Sequence, residues 1–398
     1  MEDYCLNFFS LRNKNLTHKV LLTASILFLL LTSSFAQQKN FIDRTIDWTY
    51  KIVQGDSAHP YKKYFFPIPI ISYRPETRLL YGISLTQLFR TKGNDSITRP
   101  STVRLNTSYS LNDQFSIRAM GEIFTYKNIF DITGLIQYTN FVEDYWGVGI
   151  TQPNVHETYF FKMVKINLKG SYQVYPNFFV GLQYNLENMF DLTYKNGDNS
   201  DMKKKSSNVS GTGPNGSLSS GAGFDIEYDN RNNIFFPTKG QDIELTNIVY
   251  NNFFGSNHNF TNITLDARKY IGLWKENVLA IQLFANINNG DVPFRMMGTL
   301  GSDAYMRGYY SGRFRDNCAM AFQTELRKVI WGPVSVVAFG GFGTVSPSVD
   351  GLTTNLKPCY GAGLRIMAIP REKMNIRADY GMGVDRIPAF YLTMGEAF

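Results

Sequence analysis

Apolar and polar residues alternate with a period of two along most of this chain, and that periodicity constrains its fold more than any other feature. In RLLYGISLTQLF, Leu79, Tyr81, Ile83 and Leu85 fall on one face, while Gly82, Ser84 and Thr86 fall on the other. Val103, Leu105 and Tyr109 oppose Arg104, Asn106 and Ser108, and Phe224, Ile226 and Tyr228 oppose Asp225, Glu227 and Asp229. The same holds for Leu279, Ile281, Leu283 and Ile287, and for Met374, Ile376 and Tyr380. The polar faces carry Gly, Asn, Ser, Gln and charges of both signs rather than the Lys and Glu of a solvated surface. The pattern implies one face against apolar surroundings and one against a polar interior, as in a transmembrane barrel. A secreted β-sandwich is the competing reading.

Composition agrees. Aromatic residues make up 15% of the chain, with 31 Phe and 24 Tyr, while the hydrophobic fraction is an ordinary 43%. The one long apolar run, Val20–Leu31, follows Arg12, Lys14 and Lys19 and precedes Ser34-Phe35-Ala36. That is the layout of a secretory signal, so residues 1–36 are expected to be cleaved. No cysteine stands at the cleavage point, which argues against a lipoprotein. Cys5 leaves with the signal, so Cys318 and Cys359 remain, too few for a disulfide scaffold. A net charge of +7 without a clustered basic tract gives no case for nucleic acid.

The strands expected from alternation are 79–90, 101–111, 114–126, 129–140, 143–151, 158–174, 177–192, 218–229, 240–252, 258–271, 276–288, 317–330, 333–344, 358–369, 373–383 and 389–398. They make an all-β fold, a 16-stranded antiparallel transmembrane β-barrel over residues 79–398, with a long inward-folded loop between strands 11 and 12. Numbered this way, the long connections 91–100, 193–217, 289–316 and 345–357 share one end, the cell-surface end of a bacterial barrel. Residues 37–78 form an N-terminal lead segment, in which Phe41, Thr45, Trp48 and Ile52 can share a helical face. After it, YFFPIPIISYRPE is a lead-in strand or part of a plug. The lysine run in the connection 193–217 reads as a solvated tip.

The loop SDAYMRGYYSGRFRDN carries the strongest local signal. On the strand after it, alternation turns Gln323, Glu325 and Arg327 inward and Met320, Phe322 and Leu326 outward. A loop folded inward brings Arg307 to Glu325, where a bidentate guanidinium–carboxylate pair would fix it. Gly308 lets the backbone pass close to the wall, and Tyr309 packs beside it. Arg313 and Arg315 are expected at the surface, against lipopolysaccharide phosphates. An exposed basic loop is the plainer alternative for Arg307.

Catalysis finds little support. None of His59, His156 and His258 is expected on a strand beside a plausible nucleophile or carboxylate, and no Cys/His cluster has metal-ligand spacing. No enzyme activity, metal or cofactor is expected.

With these motifs in place, the chain resembles the BamA/TamA superfamily, the bacterial surface-antigen barrels. Arg307-Gly308-Tyr309 is similar to the family's Arg-Gly-Tyr or Arg-Gly-Phe loop, and Glu325 with Arg327 to its Glu-x-Arg strand. YDNRNNIFFPTKG resembles its periplasmic turn, through Asp229, Arg231, Phe236, Pro237 and Gly240. Phe398 matches the family's terminal phenylalanine, which the resemblance implies is read as an assembly signal. Two departures stand out. No segment before residue 79 is long enough for a POTRA domain, which implies a POTRA-less member. Gly341 stands where the family's pattern has an aspartate, so a second anion for Arg307 is missing there, with Asp379 a distant reserve. The resemblance implies an integral outer-membrane protein of a Gram-negative bacterium with a role in protein or lipid insertion, assembly or translocation. The implied partners are outer-membrane lipids, the host barrel-assembly machinery and a periplasmic partner supplying client binding. A monomer is expected, with a dimer the alternative. A passive pore or structural barrel without a client is the competing function.

Overall fold

Backbone pairing assembles the alternating segments into one antiparallel sheet. The structure, a computed structural model, describes residues 64–398 except 75–77, 92–96, 153–155, 196–215, 275–276, 370–372 and 385–387. The expected signal peptide, the helical face through Trp48 and the lysine run lie outside the described residues. In chain order the strands are β1 Tyr64–Arg74, β2 Arg78–Phe89, β3 Ser101–Ser110, β4 Phe115–Phe124, β5 Phe130–Tyr145, β6 Glu157–Tyr175, β7 Phe178–Tyr194, β8 Ser217–Asp229 and β9 Gly240–Tyr250. There follow β10 Phe260–Gly272, β11 Val278–Gly290, β12 Gly298–Leu300, β13 Phe314–Asp316, β14 Cys318–Trp331, β15 Val334–Ser346, β16 Lys357–Ile369, β17 Met374–Met382 and β18 Ala389–Met394. Sixteen of them form the sheet in chain order, and β12 pairs with β13 as a separate hairpin inside the β11–β14 connection.

The number sixteen agrees with the expectation only because two differences cancel. The expected strands 129–140 and 143–151 are largely one, since β5 pairs with β6 without a break from Phe130↔Tyr172 to Tyr145↔Glu157. The sheet also starts earlier: β1 pairs with β2 over its whole length. Of the two readings of this segment, lead-in strand or part of a plug, the structure shows a strand. Proline lacks an amide donor and is tolerated on an edge strand, and Pro67 and Pro69 lie on just such a strand. Together the two changes reverse the orientation of everything before β6. The 90–100 connection therefore does not share an end with the long connections 195–216 and 291–317. It lies with the tight turns, where the Arg99 amide donates to Asn128 and its guanidinium reaches Asp229.

Alternation sorts the faces as expected on β14: Gln323, Glu325 and Arg327 are buried, whereas Leu326 is 45% exposed. Outward positions elsewhere are apolar, among them Ile136, Leu182 and Trp331. The β11–β14 connection packs on the opposite, inner face. Its Arg295 reaches Glu143 on β5 and Glu187 on β7, and its Arg307 reaches Glu325 on β14 and Asp379 on β17. One short segment can touch strands so far apart in sheet order only if the sheet curls around it. The two edge strands, β1 and β18, lie against each other, with no ladder pairing them among the described residues.

Candidate functional site

Arg307 is fully buried, and its guanidinium divides between two carboxylates rather than gripping one. Nη2 lies 2.7 Å from Glu325 Oε2, off the direction of a hydrogen bond, so this contact is an ion pair. Nη1 donates to Asp379 Oδ2 at 2.7 Å. Cζ stands 3.6 Å from the centroid of the Phe339 ring, close enough for a cation–π contact. The bidentate grip on Glu325 expected from sequence is thus replaced by a bridge. Asp379 is no distant reserve but the direct second anion, projecting from β17. Gly341 could not have supplied it, because a Cβ there would lie 2.5 Å from the Phe322 carbonyl oxygen.

The rest of the motif seats the loop backbone. Gly308 takes φ +112°, and a Cβ on it would lie 2.6 Å from the Met382 backbone, so glycine alone fits this approach. Its amide donates to the Tyr391 hydroxyl at 3.1 Å, and that hydroxyl donates to the Tyr309 carbonyl at 3.2 Å. Tyr309 in turn donates its hydroxyl to the Pro358 carbonyl at 2.6 Å. The loop is therefore bound directly to β18, the last strand of the sheet.

Around Arg307 the ion pairs extend into a network. Arg327 donates to Glu325 at 2.9 Å and lies 3.8 Å from Glu396. Arg365 binds Asp379 and donates to Glu396 at 2.8 Å, and it also lies 3.5 Å from Glu325. Arg377 approaches Asp379 and Asp303, each at 3.3 Å. Among the described residues, four arginines meet four carboxylates. Sequence reasoning named Arg307, Glu325 and Arg327, but it did not place Arg365, Arg377 or Glu396 here. Gly395 (φ +89°) turns the chain after β18, which carries Glu396 inward.

That turn also relocates Phe398. The residue does not continue the outward face of Phe390 and Met394. It is buried with Tyr270, Val278 and Ala280, and its carbonyl accepts from Arg327 Nη2 at 2.7 Å.

Arg313 and Arg315 are likewise buried and not at the surface. Arg313 donates to the Gln152 carbonyl at 3.1 Å and stands 4.5 Å over the Phe314 ring, and Arg315 donates to the Phe294 carbonyl at 3.2 Å. Covered by the β5–β6 connection, they brace the loop internally. Arg295 was missed altogether. It lies 2.6 Å from Glu143 and 4.5 Å over the Phe161 ring. Its one sequence signal is a lone charge among Phe294, Met296 and Met297.

At the end of the tight turns, Arg231 forks onto Asp229 through two hydrogen bonds of 2.9 Å, and Arg99 adds a third at 2.8 Å. Phe236 is buried, 5.8 Å beneath Arg327, and Gly240 after Pro237 takes φ +101° at the start of β9. Farther along this inner wall, Asp225, Glu227 and Glu244 converge on Lys169, whose Nζ lies 2.9 Å from Glu227 and 3.0 Å from Glu244.

An Omp85 superfamily domain matches residues 79–398. The chain belongs to the Omp85 superfamily. No curated protein matches it. Among solved structures, this Omp85 chain is similar to BamA from Haemophilus ducreyi lacking POTRA domains 1–3, at 15% identity and a TM-score of 0.56, covering 85% of this chain and 70% of that one. It is similar to CdiB from Escherichia coli at 11% identity and a TM-score of 0.54, over 86% and 68% of the two chains. CdiB from Acinetobacter baumannii matches at 11% identity and a TM-score of 0.50, over 84% of this chain and 65% of that one. At such identities the likeness is one of fold.

Proposed function

We propose that this Omp85 protein is a closed, 16-stranded barrel in the outer membrane of a Gram-negative bacterium, and that it inserts or translocates polypeptide, or lipid, by parting β1 from β18. The observation that carries this reading is the seam itself. The two edge strands lie together with no ladder among the described residues, and the Arg307 loop is hydrogen-bonded to β18 through Tyr391. Unpaired strand edges are templates for another strand, which makes the seam the natural exit or docking line for a client. The action is mechanical, with no chemical step and no cofactor. Client delivery falls to a separate periplasmic protein, and the barrel works as a monomer among outer-membrane lipids. Phe398, hidden once the sheet has closed, is available to the host assembly machinery only beforehand.

The experiment is a disulfide lock across β1 and β18, read as assembly of client proteins in cells and as ion current in planar bilayers. Locking should stop client assembly and leave the small basal current unchanged. A lock that leaves every outer-membrane client at its normal level, together with a steady current through the unlocked barrel, would instead identify a passive pore.

A further inference from the structure

Asp316, on β13, is a buried carboxylate with no cation beside it. It accepts one hydrogen bond, from the Asn317 amide to Oδ1 at 2.9 Å, and has no ion-pair partner among the described residues. A carboxylate offers about four lone-pair sites, so most of its capacity is unused. The neighbouring cations are engaged elsewhere. Arg315 turns away by strand alternation onto the Phe294 and Gly312 carbonyls, and Lys357 stands 5.4 Å over the Phe314 ring. A charge left buried in this state is costly unless something pairs it.

Asp316 lines a pocket of about 360 Å³ between β13, the β5–β6 connection and the β15–β16 connection. That volume lies within the range of small-molecule sites, about 300–1,000 Å³. Both connections are tied down. The Gly149 amide donates to the Arg315 carbonyl at 2.7 Å, and the Thr344 hydroxyl donates to the Thr354 carbonyl at 2.9 Å. Buried Asp316 and Ser346 form the floor, and exposed Thr151, Thr354 and Asn355 form the rim. Among the described residues lining the pocket, Asp316 alone is charged, while Ile150, Val345 and Pro347 add apolar surface.

We propose that this pocket binds a primary ammonium group carried on a short aliphatic stem, with Asp316 as its counter-ion. The stem lies along Ile150, Val345 and Pro347, and the polar remainder of the ligand meets the hydroxyls and amide of the rim. A calcium ion fits poorly, because it takes about 6–8 oxygen ligands and the pocket supplies a single carboxylate. A guanidinium fits less well than an ammonium. Its planar fork uses both carboxylate oxygens, whereas Asn317 already occupies one of them and an ammonium needs only a point contact. Free alkyl amines and lysine side chains share this chemistry. The site stands apart from the seam and holds whatever the barrel moves.

The test is a ligand-observed NMR titration of purified full-length protein in an uncharged detergent. The probes are 5-aminopentan-1-ol, a free amine, and Nα-acetyl-L-lysine amide, a lysine side chain. Their uncharged matches are pentane-1,5-diol and Nα-acetyl-L-norleucine amide. At least one ammonium probe should bind at least tenfold more tightly than its match, and the tighter of the two identifies the source. Asp316→Asn should abolish that preference while the heat-dependent gel shift of a folded barrel persists. Thr151→Trp, which fills the rim without touching the carboxylate, should weaken the bound probe at least tenfold. Failure of both ammonium probes to bind would overturn the proposal, and so would equal binding of the uncharged matches. Unchanged preference in a folded Asp316→Asn protein would do the same. If Asp316→Asn loses the gel shift, Thr151→Trp decides, and undiminished binding there overturns the site.

Discussion

Two parts of the inner face solve the problem of buried charge in opposite ways. On β14–β17, Arg307, Glu325 and Asp379 are wholly inaccessible, Arg327 and Arg365 nearly so, and the signs balance. Around Lys169 one cation faces three carboxylates, of which Asp225 is buried, while Lys169 is 14% and Glu244 35% exposed. The difference teaches where water is admitted. A dry wall must pair every ion, because an unpaired buried charge costs several kcal/mol, whereas a wetted wall tolerates an imbalance that solvent screens.

The largest break in this comparison is expected from Glu325→Ala, which removes the one carboxylate shared by Arg307, Arg327 and Arg365 in the dry wall. A loss of about 3–5 kcal/mol is typical for halving a buried pair, and urea unfolding in detergent micelles would read it. Arg307→Ala should cost less, because Glu325 and Asp379 each keep two other arginines. Arg307→Lys should recover little, since an ammonium is a point charge and cannot span two carboxylates as the planar guanidinium does. The exchange Arg307→Glu with Glu325→Arg sharpens the test. It places a carboxylate beside Asp379, so it should remain below wild type, whereas a simple two-residue pair would be restored.

Lys169→Met should weaken folding by less than Glu325→Ala, because Lys169 and Glu244 keep part of their surface in water, although Asp225 beside them is buried. Its effect should fade in high salt, while the loss from Glu325→Ala should not. If salt moves both equally, the distinction between dry and wet walls fails. The smallest effect is expected from Arg99→Ala. Asp229 keeps its fork to Arg231, so the loss should stay under about 1 kcal/mol in the same unfolding measurement.

What the sequence determined by itself was whatever depends on neighbours along the chain. Period-two alternation is local, so the β class, the two faces and the inward Glu325 and Arg327 were legible from it. The Arg-Gly-Tyr loop was legible as well, because Gly308 and Arg307 stand together in a short motif. What only the tertiary structure decided was which strands meet across the interior. Asp379 lies 72 residues from Arg307, and Arg295 lies 152 residues from Glu143. No spacing rule links positions joined only by the curl of a sheet. The orientation of β1 to β5 followed the same logic. A proline-bearing edge strand and a strand divided in two by the reading shifted the register of ends without disturbing alternation, because alternation records the face of a residue and not the direction of its strand.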